Sequence, residues 1–456
     1  MGFRDVWKEY MKNSSLHGAK FIVDEKYQYS EKFFWVVCVL ISWMASVLLM
    51  QASLDAFQNN AISFVVETSF LDWKTHFPSI AICEVKNLDG VQEISERLWG
   101  VDHDFTLEEV LSELAYFRGE SYHTVHECGG TDPIEGCLFS NYSQYAQLVR
   151  SNCKKTLKEC QWNAEKKFNC CDYFFPMDTE LGTCYTVNSI QTENPKKIKM
   201  PMISDKYTGP GKLTMEILTE ANIYILGEED VPHLVAPKSE MLSVTPFISY
   251  YRVIAMKNIE NDPETRDVNV AQRSCRYPDE NILDVHKFYS YSACSVQCRK
   301  DAQLKICNCT SHLMPHTPTN LHCNISGLNC LNEHYEELSV VIPKWSSHGR
   351  KGVVCDCLPS CTEIDVSIVH DSKDKGIMSD AKGNRLAIAQ VEIELSALPT
   401  ERYKRNVVRG RLDLVVSMGG TTGLFVGASL LSFVEILYYF TIRPYGNYLM
   451  GKKQEK

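Results

Sequence analysis

The sequence predicts an α+β membrane protein in which two transmembrane helices flank one large, disulfide-rich ectodomain. Three observations carry this. Apolar runs of membrane length lie near each end, Phe33 to Ser53 and Leu412 to Phe440, with no third between them. A helix of about 20 residues crosses a bilayer core, and both runs reach that length. Nearly all of the 19 cysteines fall between the runs, and disulfides persist outside the cell. Two spans leave both termini on one side of the membrane and the intervening domain on the other.

Residues 1–32 read as a cytoplasmic segment. They hold Arg4, Lys8, Lys12, Lys20, Lys26 and Lys32 against Asp5, Glu9, Asp24, Glu25 and Glu31, a slender basic excess. The tail, 441–456, is clearer, with Arg443, Lys452, Lys453 and Lys456 against Glu455. Lys and Arg beside a span mark the cytosolic side, and acids count little. The first run, 33–53, contains no Asp, Glu, Lys or Arg. It begins too late and runs too long for a signal-peptide core, and no small-residue cleavage site follows it. Its length and even apolarity favour a span over a buried core helix.

The ectodomain, 54–411, leaves the first span as extended chain, ISFVVETSF then HFPSIAIC. Residues 92–171 read as helical and loop-rich, as in LEEVLSELAYF and NYSQYAQLVRSNCKKTLKECQW. From 184 to 275, β-branched and aromatic residues alternate in KLTMEIL, ANIYIL and FISYYRVIAM, the mark of a sheet. A helix is expected over 287–303 and a further strand at IAQVEIEL. Cys38 lies in the first span, and the remaining cysteines, Cys83 through Cys361, form an even set. That fits a full complement of disulfides with no free thiol outside. Spacings such as CSVQC, CNC and CDCLPSC invite a zinc reading, but an oxidising compartment and the lack of paired CxxC ribbons argue against it. Sequons at Asn141, Asn308 and Asn324 fit a glycosylated outer face. The whole chain has a net charge of −10, and the ectodomain is more acidic still, because the front and tail are basic. It disfavours nucleic acid and can concentrate cations near a pore mouth, although solubility alone accounts for it equally.

The second run, 412–440, is not a plain anchor. It carries Asp413, Glu435, Gly419, Gly420, Gly423 and Gly427. Polar residues in a span face a bundle interior or a water path. The small residues alone are explained by close helix packing. The sharper reading rests on Gly427-Ala428-Ser429 at mid-span, where a helix break would expose backbone carbonyls. Irregular backbone at membrane depth is tolerated only where it lines a cavity or is buried in protein, and rings of carbonyls or carboxylates select cations. One chain supplies one such span. A pore therefore requires an oligomer, with Gly427-Ala428-Ser429 and Glu435 repeated around its axis. No GxSxG, HExxH, P-loop or GxGxxG element is present, so nothing points to an enzyme.

These motifs fall in a distinctive order. His17-Gly18 precedes the first span, Phe77-Pro78 and then Cys83 follow it, LPTERYKR approaches the second, and LDLVVSMGGTTGLFVGASLLSFVEI fills it. Over essentially its whole length the chain resembles the degenerin/epithelial sodium channel/acid-sensing ion channel superfamily, most of all the insect pickpocket branch. The resemblance implies a trimer in the plasma membrane, homomeric or built with related subunits. Each ectodomain would have palm, finger, knuckle, thumb (275–361) and β-ball. It implies sodium-selective, amiloride-sensitive conduction gated through the ectodomain by an unidentified extracellular ligand or stimulus. Membrane lipid is then a partner and nucleic acid is not. Sodium is the permeant ion, with no cofactor and no metal. Gly427, Ala428 and Ser429 match the selectivity filter and His17 and Gly18 the gating motif. Val416, Ser417, Gly420, Gly423 and Glu435 would line the pore.

The resemblance also implies disulfides: Cys83–Cys184, Cys153–Cys160, Cys275–Cys361, Cys294–Cys357, Cys298–Cys355, Cys307–Cys330 and Cys309–Cys323. It leaves Cys128, Cys137, Cys170 and Cys171 unassigned. The acid-sensing channels' histidine pair falls on Ile62 and Ser63, which puts proton gating in doubt. Ser417 replaces an acidic residue, and Val416 stands where bulky residues hold degenerins open. A differently set gate and branch-specific packing account for these two equally. Two other readings share the two-span topology. A scavenger-type lipid receptor would need neither Gly427 nor Glu435 in its anchor. An ATP-gated channel would need a basic nucleotide-binding cluster that is absent here, and the CNC and CDCLPSC pattern does not fit it.

Overall fold

The structure, a computed structural model, describes residues 3–67, 74–165, 167–192, 200–344, 349, 351–375, 387–396 and 402–446. Lys452, Lys453, Glu455 and Lys456 of the tail, residues 68–70 of ISFVVETSF and 398–401 of LPTERYKR lie outside the described residues. The chain divides into two compact units, one of Met1–Phe64, Asp262–Arg273 and Arg405–Lys456, the other of Val65–Asn261 and Ser274–Lys404.

In the first unit the N-terminal apolar run is one helix, Tyr29–Asn59, without Gly or Pro. Its start is closed by a capping box in which the Gln28 N–H donates to Glu31 Oε2 at 3.2 Å. It extends six residues beyond the expected end at Ser53, into chain that reads as extended from the sequence. Only 6% of its most apolar window is buried, whereas a soluble core helix of such composition would be buried. The second apolar run forms two helices, Arg411–Val426 and Leu430–Leu437, the latter passing into a π-helical turn, Tyr438–Ile442. The two halves meet at 68° and meet the length and apolarity of a span only when taken together. A short helix, Phe3–Asn13, packs Trp7 and Tyr10 against Phe440 and Tyr439, and its Glu9 pairs with Arg443. At the far end of the Tyr29–Asn59 helix, Gln272 Nε2 donates to Phe57 O at 3.2 Å, and the Asp262 N–H donates to Arg405 O at 3.0 Å.

The second unit is built on two sheets. In one, Ser249–Asn261 pairs antiparallel with Ile364–Asp374 and parallel with Ala389–Leu395. Ala389–Leu395 then pairs with Lys212–Ile217, and that strand with Leu157–Trp162. In the other, Ser79–Lys86 lies between Glu220–Leu226 and Gly182–Val187, with Met241–Val244 and Phe175–Thr179 outside them. Alternation in Lys212–Ile217 and Ala389–Leu395 turns Leu213, Met215, Ile217, Val391 and Ile393 inward. They join Ile80, Ile82, Ile223 and Ile225 of the other sheet in one core. Helices Leu88–Trp99, Phe105–Ala115 and Tyr142–Val149 form a separate cluster around Val91, Ile94, Leu111 and Val149, while Tyr122–Cys128 packs its Cys128 with Val110, Leu114 and Tyr142. The helical reading of the segment ending KECQW is corrected, since Leu157–Trp162 is a strand. The helix expected over 287–303 runs Tyr291–Cys307.

Disulfides join Cys83–Cys184, Cys275–Cys361, Cys294–Cys357, Cys298–Cys355, Cys307–Cys330 and Cys309–Cys323. Cys128 joins Cys137, and Cys38 is free. The Cys153–Cys160 pairing is not formed; Cys160 bonds Cys170 and Cys153 bonds Cys171. The reason is the hairpin. Pairing of Cys160 with Phe168 brings Cys170 to a Cα separation of 5.1 Å from Cys160. The tight turn Cys170–Asp172 leaves Cys171 for Cys153, at 5.9 Å, and both separations suit a bridge.

Candidate functional site

The break in the second apolar helix is a local consequence of its sequence. Gly427 takes φ 73°, ψ 12°, the left-handed conformation that ends helices at little cost only for glycine. Its N–H still donates to Gly423 O at 3.0 Å, and the Ala428 N–H to Thr422 O at 3.3 Å. Ser429 is extended and begins the next helix, and its N–H donates to Ser432 Oγ at 3.0 Å. Among the described residues the carbonyls of Gly427 and Ala428 accept no backbone hydrogen bond. The sequence-predicted filter residues are thus the whole of the break.

The structure brings His17 and Gly18 to this break. The His17 N–H donates to Val426 O at 3.0 Å, satisfying a carbonyl at the end of the Arg411–Val426 helix. Contact is close enough that a Cβ on Gly427 would lie 2.6 Å from His17 Cδ2. Gly18 has φ 81°, and a Cβ on it would lie 2.7 Å from Val39 Cγ2 of the first apolar helix. One small residue therefore permits the approach on each side. Below the break, Glu435 Oε2 accepts from the Ser15 N–H at 3.1 Å and the Ser15 hydroxyl at 3.0 Å. Ser15 Oγ also lies 2.7 Å from Ser432 Oγ, and Ser432 is 2% exposed. Ser15 and Ser432 were not singled out from the sequence. The available signal was two consecutive hydroxyls, Ser14 and Ser15, directly ahead of His17-Gly18.

The remaining predicted pore residues lie on the Arg411–Val426 helix. Val416 is 65% exposed, and nothing lies within 4 Å of a Cβ placed on Gly420. A Cβ on Gly423 would meet only Ala428 O, at 3.9 Å. Ser417 instead faces the first helix, with its Oγ 3.0 Å from Ser53 Oγ. In the ectodomain, Asn141, Asn308 and Asn324 are all exposed. Among the described residues, metal-type ligand atoms converge only at Cys307, Cys330 and His334. The two sulfurs there are bonded to each other, which leaves no thiolate for an ion.

A family model described as "Amiloride-sensitive sodium channel" matches residues 10–439. A "Sodium channel protein Nach" of Drosophila ananassae is 21% identical over 99% of this chain and 89% of that protein. "Pickpocket protein 28" of Drosophila melanogaster is 21% identical over 96% of this chain and 78% of its own length. "Acid-sensing ion channel 4" of Rattus norvegicus is 25% identical over 57% of this chain and 50% of its own. The chain belongs to the amiloride-sensitive sodium channel family, whose members are multi-subunit ion channels of the plasma membrane and not enzymes.

Proposed function

We propose that this chain is one subunit of a trimeric, sodium-selective, amiloride-sensitive cation channel gated through its ectodomain. The observation that carries the reading is the helix break at Gly427-Ala428-Ser429, with two carbonyls that accept no backbone hydrogen bond among the described residues, within a run of membrane length. Three copies around an axis form a ring of such carbonyls, which replaces part of a cation's hydration shell. Val416, Gly420, Gly423 and Glu435 continue the lining above and below. Helix Tyr29–Asn59 is one span and the broken pair is the other, with both termini cytosolic. His17 and Gly18 then act as a clasp on the filter from the cytosolic side, and losing the His17 N–H to Val426 O bond frees the end of the Arg411–Val426 helix at the break. Sodium is cargo, and the ectodomain receives the stimulus.

The test is expression of this chain alone under voltage clamp. A sodium current blocked by amiloride is expected, and Ser429→Leu should shift the sodium/potassium permeability ratio or abolish the current. Unchanged selectivity in a Ser429→Leu channel that reaches the surface removes the filter assignment.

A further inference from the structure

Ahead of the first apolar helix the chain folds back on itself and forms a cup of aromatic rings. The short helix Ala19–Val23 ends at Asp24, whose Oδ1 accepts from the Lys26 N–H at 3.4 Å. This turn returns the chain to Gln28 and the start of Tyr29–Asn59. Phe21 thereby stacks on Trp35, with centroids 4.4 Å apart and ring planes 14° from parallel. Tyr27 stands at 72° to Phe21 with centroids 5.4 Å apart, and Phe34 at 77° to Trp35 with centroids 5.9 Å apart. All four rings line one cavity of about 500 Å³, inside the roughly 300–1,000 Å³ of small-molecule sites.

The two remaining lining residues decide the ligand. Glu31 spends Oε2 on the Gln28 N–H at 3.2 Å and makes no ion pair among the described residues. Ser30 offers a hydroxyl, and neither Lys nor Arg lines the cavity among the described residues. A cation is therefore favoured, and a lone anionic headgroup would face a carboxylate. Ring faces attract a cation through their quadrupole, and a quaternary ammonium suits them because it has no N–H to satisfy. A primary ammonium has three protons to donate, and the rings supply no acceptors for them. Position supplies the source. The cup sits on the first turns of Tyr29–Asn59, where the apolar run begins at Phe33, and Phe33 itself is 70% exposed. Scattered Trp and Tyr at a membrane interface need no ligand, but four rings and a carboxylate around one cavity exceed what such a belt requires. We propose that this cup binds the headgroup of a phosphatidylcholine, its trimethylammonium against the rings and beside Glu31, its phosphate on the Ser30 hydroxyl. An occupied cup holds Ala19–Val23 against the first apolar helix, and with it the His17-Gly18 turn that leads into it. The proposal rests on the reading of Tyr29–Asn59 as a span.

The test reads binding and not current. The full-length protein in maltoside micelles is titrated with dioctanoyl phosphatidylcholine, phosphatidylethanolamine or phosphatidylglycerol, and bound lipid is counted by native mass spectrometry. Wild type should bind phosphatidylcholine about tenfold more tightly than either other lipid, the step that ~1.4 kcal/mol of cation–ring and charge attraction gives. Glu31→Gln keeps a side-chain oxygen for the Gln28 N–H, and Tyr27→Leu keeps apolar bulk. Each should bring phosphatidylcholine down to the affinity of phosphatidylethanolamine, whereas a structural defect would weaken all three lipids alike. Free phosphocholine should bind far more weakly than the lipid. Equal affinity for the three headgroups, a phosphatidylcholine preference that survives both variants, or equal binding of free phosphocholine overturns the proposal. Retention in membranes washed with alkaline carbonate tests the span by itself. Release by that wash would remove the span reading, while the headgroup preference tests the cup.

Discussion

At the scale of single residues, two glycines set how near the N-terminal segment comes to the helix break. Serine at Gly18 would strain a φ of 81° and force a Cβ to within 2.7 Å of Val39, displacing His17 from Val426. Gly18→Ser is expected to lower open probability several-fold in single-channel recording at matched surface expression. An unchanged value would leave His17-Gly18 as a linker. His312 offers a residue-scale test of pH dependence. It is 3% exposed, its Nε2 donates to Leu114 O at 2.7 Å, and its Nδ1 is buried without a hydrogen-bond partner among the described residues. Burial pushes its pKa down to about 4, and His322 and Arg150 nearby act in the same direction. The unfolded chain binds its proton near pH ~6.5. The stability held by neutral His312 is therefore complete above that value and lost as pH falls towards 4. Glu229 works in the opposite sense. Burial and then Asp230 raise its pKa to about 7, so a cost present above pH 7 is relieved as pH falls towards the ordinary carboxyl range. In melting curves, His312→Gln should flatten the loss between pH 6.5 and 4. A slope equal to wild type would show that other groups carry it.

At the scale of elements, the region 275–361 is held by cross-links more than by a large core. Its buried apolar groups are small clusters, such as Val285, Ala293, Val296 and Met314. Cys294–Cys357 and Cys298–Cys355 instead tie the Tyr291–Cys307 helix to the chain at its end. A native disulfide in such a domain contributes roughly 2–5 kcal/mol. Replacing Cys294 and Cys357 together by alanine should lower Tm and impair delivery to the cell surface. Wild-type melting and surface expression would argue that packing alone suffices. The alternating strands Lys212–Ile217 and Ala389–Leu395 were legible because an inward residue at every second position marks the sequence directly. Leu157–Trp162 was not, because Lys158, Glu159 and Gln161 break the apolar alternation and lysine-rich chain before it reads as helix.

At the scale of the whole molecule, the proposed two-span topology makes a prediction about sugar. Asn141, Asn308 and Asn324 are exposed on the ectodomain, while Asn13 carries a sequon on the N-terminal helix. Glycan mapping in a secretory host should find sugar on ectodomain sites and none on Asn13. Sugar on Asn13 would invert the orientation. The candidate site was partly legible in the sequence. Gly427-Ala428-Ser429 stood out as small residues at mid-span, and His17-Gly18 through family resemblance. The Ser15–Glu435 bond was not legible, because its partners are 420 residues apart and neither residue marks the other.

The sequence by itself determines the two apolar runs, the oxidised ectodomain between them, the alternating strands and the glycines that can break a helix. Each of these is a local property of composition or spacing, and backbone geometry reads it locally. The tertiary structure decided which half-cystine meets which around residues 153–171, the bend of 68° between the two halves of the second apolar run, and the docking of His17 on Val426. Each of those depends on remote segments sharing space, which is settled by a hairpin register or by close packing and leaves no periodic trace along the chain.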